Sequence, residues 1–149
     1  MRNYNDVHKS FYNPKRFIAV RFYRLYPHKP EHEKPLAALL NTTIFALFRE
    51  IYGSTKLGLG ALDATMADML RVPVPFPVDT AYQKRLVSCF DILCKRPAQR
   101  VEIERSQPDR RALDEVVFEV LGLTAGEREA VYEAVVALVR ARLEKAQSV

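Results

Sequence analysis

The sequence predicts an α+β protein that is mostly helical, with a small N-terminal sheet and a C-terminal helical hairpin. Three observations lead to this fold class. Aromatic and β-branched residues alternate in part between residues 16 and 26, which is typical of short strands. Later segments repeat apolar residues at three- and four-residue spacing, which is typical of amphipathic helices. The last two helical segments are separated only by residues 122–124, which favours a helical hairpin.

Length and composition favour a single compact domain. The chain has 149 residues and is 48% hydrophobic, and a domain of this length can bury about 70% of its unfolded surface. We divide it into a basic aromatic arm with short strands (1–33), a region with a helix, a glycine turn and a proline connector (34–78), and a C-terminal helical region (79–149). No apolar run approaches the length of a membrane span and the N-terminus lacks a signal core, so we expect a cytoplasmic protein with no membrane partner.

The arm contains the predicted strands. Asn13-Pro14 is a turn signal, and one or two short strands follow it within Arg16–Tyr26. The residues from Pro27 to Pro30 close this strand region. Four apolar residues of the arm are expected to belong to the core rather than to stack on a ligand: Phe17, Ile18, Phe22 and Leu25.

A long helix is expected over residues 35–52. Pro35 suits its first turn, and Gly53 stands where a left-handed residue commonly ends a helix. Its apolar residues cover most of its circumference, which predicts a central element. They are Leu36, Leu39, Leu40, Ile44, Leu47, Phe48 and Ile51.

The glycine-containing stretch KLGLGAL (56–62) predicts a tight or bulged strand that pairs with the arm. Thr65 and Asp68 then form a capping-box pattern that opens a short helix. Alternate prolines in VPVPFPV (72–78) require an extended connector.

Three further helices are expected in the C-terminal region. The first begins after a cap at Asp79 or Thr80 and runs to about residue 95, and the second spans residues 110–121 with Gly122 after its end. A capping box of Thr124 and Glu127 opens the last helix, which runs to about residue 146.

The charge is concentrated in the arm. The whole chain carries a net charge of +5, yet residues 1–29 contain seven basic residues and one acidic residue, so the rest is close to neutral. Such a distribution suits a polyanionic partner, although a solvated charged strand explains it equally well. The candidate DNA-binding residues are Lys15, Arg16, Arg21, Arg24 and Lys29, with Lys56 and Arg71 as weaker candidates.

The chain lacks the motifs of the common catalytic and cofactor sites. It contains no phosphate-binding GxxxxGK[ST] loop, and the glycines of residues 58–60 lack the third glycine of a dinucleotide loop. The histidines lie in the polar arm and are not expected to bind a metal. The spacing of Cys89 and Cys94 suits neither a metal site nor a disulfide. Both thiols are expected to be buried and reduced. The carboxylate pairs Asp114–Glu115 and Glu127–Glu129 are expected on solvated helix faces. We therefore expect no catalytic residue, cofactor or metal.

Several segments resemble, in order, the C-terminal target-recognition region of adenine-specific DNA methyltransferases of restriction–modification systems, including fused restriction–methylation enzymes. They are RFYRLYP (21–27), LLNTTIFALFREIYG (39–53), LGLGALDATMADMLRVPVP (57–75) and LDEVVFEVLGLTAGEREAVYEAV (113–135). In that family a leucine–asparagine–serine/threonine helix precedes a glycine-x-glycine-alanine strand and a short helix that ends in proline-valine/isoleucine-proline. The corresponding residues here are Asn41, Thr42, Gly58, Gly60, Ala61, Pro73 and Pro75.

The resemblance implies a part of such an enzyme without its catalytic domain. Its amino-methylating motif, Asn/Asp-Pro-Pro-aromatic, is absent, since Asn13-Pro14 is followed by Lys15. The resulting hypothesis is a non-catalytic DNA-binding fragment of a restriction–modification system, with DNA and a methyltransferase catalytic subunit as partners. The alternative is a protein-interaction module that docks on a catalytic subunit without contacting DNA. A small hydrolase is a third and weaker alternative.

Overall fold

The computed structural model describes residues 2–3, 6–17, 22–55 and 61–147 and shows a mostly helical protein. A 3₁₀ turn at Pro30–His32 leads into the first helix. The α-helices of the described residues are α1 (Glu33–Leu39), α2 (Thr43–Tyr52), α3 (Met66–Arg71), α4 (Thr80–Leu93), α5 (Val101–Glu104), α6 (Pro108–Val120) and α7 (Ala125–Gln147).

The predicted N-terminal sheet is not supported. Residues 22–26 form no strand, and residues 18–21 and 56–60 lie outside the described residues. In the described ranges, β-pairing is limited to one antiparallel pair of two-residue strands, β1 (Arg2–Asn3) and β2 (Leu62–Asp63), with a bridge from Ser54 to Asp63 beside it. Strands this short cannot form a stable sheet of their own, so the fold depends on its helices.

The prediction of a single helix over residues 35–52 is also wrong, because the helix is interrupted between α1 and α2. Thr42 has an extended backbone, with ψ of 158°, and its hydroxyl accepts a hydrogen bond from the amide of Phe45 at 3.4 Å. The same hydroxyl donates to the carbonyl of Leu39 at 2.7 Å. Thr42 therefore serves both the end of α1 and the start of α2, and the apolar spacing continues on both sides of the break.

Gly53 does not adopt the left-handed conformation that its position suggested. Its φ is −75°, so the backbone alone does not require glycine. A Cβ atom here would lie 2.6 Å from Leu62 Cδ1 and 2.7 Å from the carbonyl oxygen of Arg49. Glycine is needed because β2 approaches the end of α2 closely.

The main core lies where α4 packs between α1 and α6. Leu86, Leu113, Val116, Val117 and Phe118 are at most 1% exposed there. Helix α7 packs against α2 and α5, over a second apolar cluster that contains Val101, Val135, Val136 and Val139. Residues 121–124 join α6 to α7, and the rings of Phe118 and Tyr132 meet edge to face with centroids 5.7 Å apart.

The caps predicted at the N-termini of α3, α4 and α7 are confirmed. Thr65 and Asp68 form a reciprocal capping box at α3, and Thr124 and Glu127 make the same contacts at α7. The carboxylate of Asp79 accepts from the amide of Ala81 at 2.7 Å. The remaining local prediction, a left-handed Gly122, is confirmed by its φ of +67°.

Two other sequence-based expectations need correction. Asp114 is fully buried rather than solvated, because its carboxylate accepts hydrogen bonds from the amide and hydroxyl of Thr43 at 2.7 and 2.6 Å and from the hydroxyl of Tyr132 at 3.0 Å. Cys89 and Cys94 are both free, but Cys89 is half-buried and Cys94 is exposed. Cys94 lies at the C-terminal end of α4, where the core no longer covers it.

Candidate nucleic-acid interface

The arm is attached to the junction between α1 and α2. The side-chain oxygen of Asn41 accepts from the amide of Ser10 at 3.0 Å, and its side-chain nitrogen donates to the carbonyl of Ser10 at 2.9 Å. The same nitrogen donates to the carbonyl of Ala37 at 2.8 Å. Asn41, one of the residues that carry the family resemblance, therefore ties the arm to the helical core.

A tight turn reverses the arm beyond this attachment. The amide of Arg16 donates to the carbonyl of Asn13 at 3.0 Å, and the Asn13 side chain makes two hydrogen bonds to the backbone of Phe17. Arg16 adopts a left-handed conformation with φ of 53°. The rings of Phe11 and Phe22, which precede and follow this turn, meet edge to face at 5.9 Å. The turn signal at residues 13–14 is thus confirmed, and it presents an irregular loop rather than a strand.

The aromatic residues of the arm are exposed, contrary to the expectation that Phe17, Phe22 and Leu25 belong to the core. Their exposed fractions are 68%, 47% and 54%; Ile18 lies outside the described residues. Tyr26 is 64% exposed. No strand among the described residues forms a second layer that would cover these side chains. The arm therefore presents flat apolar surfaces to solvent.

The described basic residues of the arm are exposed as well. Arg16 lies 3.5 Å from a carboxylate oxygen of Glu33, with both side chains accessible, so this pair contributes little. Within the described part of the chain, no carboxylate lies within salt-bridge distance of Lys15, Arg24 or Lys29. Arg71 is exposed at the end of α3, and two other candidates, Arg21 and Lys56, lie outside the described residues.

The arginines of the helical body behave differently, because most of them bind carboxylates of the protein. Arg96 forms paired hydrogen bonds with both Glu104 and Asp109. Further pairs are Arg85–Glu119, Arg110–Glu104, Arg111–Glu129, Arg128–Glu115, Arg142–Glu50, Arg100–Asp6 and Arg140–Glu102. Most described arginines of the body are thus paired within the protein, while Lys15, Arg24 and Lys29 of the arm have no carboxylate partner among the described residues.

Beneath the arm, His8 and Arg49 form a buried pair that sequence reasoning missed. Arg49 is 3% exposed, and its Nη1 lies 2.7 Å from Nδ1 of His8. Burial lowers the pKa of His8 well below its ordinary value, and the charges of Arg49 and Arg110 lower it further. The neutral ring accepts from Arg49 and directs its Nε2 proton to the hydroxyl of Ser10 at 3.1 Å. In the sequence, the signal that indicates burial of Arg49 is its position within an otherwise apolar helix.

The described residues contain neither a candidate metal site nor a membrane-spanning helix. Across residues 2–3, 6–17, 22–55 and 61–147, no three histidine, cysteine or acidic side chains are grouped so that they could hold a metal. None of the helices in these ranges has the length and apolar character that crossing a membrane requires. Comparisons of the chain with family models, with curated proteins and with solved structures gave no match.

Proposed function

We propose that this protein is a non-catalytic DNA-binding module whose basic arm contacts the phosphate backbone. The observation that carries the proposal is the contrast in ion pairing. Lys15, Arg24 and Lys29 lack carboxylate partners among the described residues, while most arginines of the body are paired. Cations that are free and solvated can neutralise phosphates without first breaking an internal pair.

The exposed aromatic residues support a second kind of contact. Phe17, Phe22 and Tyr26 alternate with the basic residues along the arm. Bases of any type can stack on such rings, and each stacked base contributes about 1–3 kcal/mol to single-strand binding. Phosphate contacts and stacking carry little sequence information, so we propose binding with low intrinsic base specificity.

The family resemblance suggests the setting of this activity. We propose that the protein assists a restriction–modification assembly in holding DNA, and that a methyltransferase catalytic subunit supplies the chemistry. The residues that support this are Asn41 and Thr42, which organise the α1–α2 junction and the attachment of the arm.

A protein-interaction module remains the second candidate, because apolar side chains are also exposed outside the arm. Leu70 of α3 is 81% exposed and Val78 of the proline connector is 93% exposed. A catalytic subunit could cover this surface. In that case the arm would be dispensable for the interaction.

Salt dependence tests the DNA-binding proposal. The affinity for a short duplex and for a single strand would be measured by fluorescence anisotropy between 50 and 200 mM salt, as an approximate range over which phosphate contacts are lost. We expect a steep fall in affinity for both. The double variant R24E/K29E should weaken binding and reduce the slope of log affinity against log salt by about 2.

A matched control separates this effect from overall charge. The double variant K84E/K95E makes the same change in net charge at two exposed positions of the body, on and just after α4. It should bind with a slope close to that of the unchanged protein. Equal losses in the two double variants, or an affinity insensitive to salt, would contradict phosphate binding by the arm. Absence of DNA binding by the unchanged protein, together with binding of a catalytic subunit that R24E/K29E retains, would favour the second candidate.

A further inference from the structure

A cavity of about 430 Å³ lies between the arm and the helices α1, α2 and α3. Its walls are mainly apolar and include Tyr12, Phe22, Leu36, Phe45, Met66 and Met69. His8 and the buried Arg49 also line it, together with the exposed charged residues Arg16 and Arg24 of the arm. A mainly apolar wall with a few polar groups is typical of small-molecule sites.

The hydrogen bonding of Arg49 defines what this end of the cavity offers. Nη1 is occupied by His8 at 2.7 Å. Both Nε and Nη2 are buried and have no hydrogen-bond partner among the described residues. These two nitrogens form the side-on edge of the guanidinium, so their N–H groups point in parallel, as a carboxylate requires for paired hydrogen bonds.

An unpartnered guanidinium edge in such a place is costly. A buried donor without an acceptor loses its hydration and gains nothing in return, and the loss is greater for a charged group. Burial lowers the pKa of Arg49, while the carboxylate of Glu50 opposes this shift. His8 is neutral and only accepts from Nη1. An anion bound at the edge would supply both missing acceptors.

We propose that the cavity binds a small monocarboxylate with an apolar body, whose two oxygens accept from Nε and Nη2 of Arg49. A carboxylate fits better than a phosphate, because the buried donors without partners in the described residues are only these two. A phosphate would bring a third oxygen, for which this edge of the guanidinium has no further donor. The thioethers of Met66 and Met69 and the ring of Phe45 would pack against the body of the ligand.

Proton–nitrogen and proton–carbon NMR of the intact protein test this proposal directly. The probes are 3-phenylpropionate, its neutral amide 3-phenylpropionamide, and phenyl phosphate. Titration with 3-phenylpropionate should give saturable shifts of the Arg49 Nε–H signal and of the methyl signals of Met66 and Met69. The amide should bind at least about tenfold more weakly, because its single oxygen cannot accept from both Nε and Nη2 of Arg49.

Two variants assign the effect to Arg49. R49M keeps an unbranched apolar stem but removes the guanidinium, and it should lose about tenfold or more in affinity for 3-phenylpropionate. R49K retains the charge without the paired donors and should also bind more weakly. The exposed Arg100 provides a matched control, since R100M should leave the affinity unchanged.

The proposal would be overturned by unsaturated titrations with 3-phenylpropionate, by equal affinities for the acid and the amide, or by unchanged affinity in R49M. Tighter binding of phenyl phosphate than of 3-phenylpropionate would also overturn it, since the site would then be built for a phosphate. If R49M fails to fold, the Nε–H shift in the unchanged protein and the affinity of R49K still decide the question.

Discussion

Asn41 binds both main-chain polar groups of Ser10, accepting from its amide at 3.0 Å and donating to its carbonyl at 2.9 Å. The side chain thus makes the two contacts that a neighbouring strand would make, across 31 positions of sequence. A third contact, from Asn41 to the carbonyl of Ala37, holds the side chain in place. Together with the hydrogen bond between His8 and Arg49, Asn41 therefore holds the arm on the helical core.

Replacing Asn41 with alanine should release the arm from the core. The change removes three hydrogen bonds, of which two connect to the arm, and we expect a loss of about 1–3 kcal/mol in the free energy of unfolding. Faster hydrogen exchange of the Ser10 amide would report the release locally. N41D keeps the acceptor for the Ser10 amide and should have an intermediate effect. An unchanged exchange rate at Ser10 in N41A would show that other contacts hold the arm.

Arg96 should dominate the stability of the segment between α4 and α6. Its guanidinium binds Asp109 at 2.6 and 2.8 Å and Glu104 at 2.7 and 3.1 Å. R96M leaves the buried Glu104 with fewer partners and should destabilise the protein by on the order of 3 kcal/mol. R100A, which removes an exposed arginine nearby, should change the stability by less than about 0.5 kcal/mol.

Acidification provides an independent test of the ion pair between Arg96 and Asp109. The hydrogen bonds from Arg96 hold the pKa of Asp109 below its ordinary value, so the carboxylate stabilises the folded state above the unfolded pKa of about 4. This contribution is lost as the pH falls from about 4 towards the lower folded-state pKa. Urea unfolding at both ends of this range gives the free energy of unfolding of R96M and of the unchanged protein. The difference between these two values should become smaller at the lower pH. A difference that stays constant would exclude Asp109 as the source.

The sequence predicted best what short-range chemistry determines. The capping boxes at Thr65 and Thr124 and the left-handed Gly122 each depend on residues within one helical turn, and all three are confirmed. The break at Thr42 is equally local, but the apolar residues on both sides of it keep a helical spacing. The continuous spacing therefore predicted one helix over residues 35–52, although Thr42 is a typical capping residue.

Long-range contacts decided what the sequence could not predict. Asp114 is buried because Thr43, 71 positions away, supplies its hydrogen bonds. Arg49 is buried because the arm folds back over α2 and places His8 beside it. The aromatic residues of the arm carried a strand-like pattern, yet no element covers Phe17 in the described residues. Whether such a pattern is buried depends on partners that local sequence does not specify.

The exposed rings of the arm allow binding to be separated from folding. Phe17 is 68% exposed, so F17A should change the free energy of unfolding by less than about 0.5 kcal/mol. If Phe17 stacks on bases, the same change should weaken single-strand binding by about 1–3 kcal/mol. I92A truncates a similarly exposed side chain of α4 and should leave both quantities unchanged. Single-strand binding by F17A as tight as that of the unchanged protein would argue against stacking at this position.

Alanine substitutions at three glycines separate two causes of destabilisation, which are backbone strain and steric crowding. At Gly122 a methyl group meets nothing within 4 Å, but φ is +67°, so G122A should cost about 1–2 kcal/mol through backbone strain alone. Gly126 lies in α7 with equal space and no such φ, so G126A should leave the stability unchanged or raise it by up to about 1 kcal/mol.

The third glycine, Gly53, has an ordinary φ but no room for a methyl group, since Leu62 Cδ1 would lie at 2.6 Å and a backbone oxygen of Arg49 at 2.7 Å. G53A should therefore destabilise the protein by about 1–3 kcal/mol, because the approach of β2 to α2 must loosen. Added to L62A, where the contacting side chain is already truncated, G53A should cost less than it does on its own, although the part due to the Arg49 carbonyl remains. Thermal unfolding of G122A, G126A, G53A, L62A and L62A/G53A would check this, and a G53A protein as stable as G126A would refute the close approach.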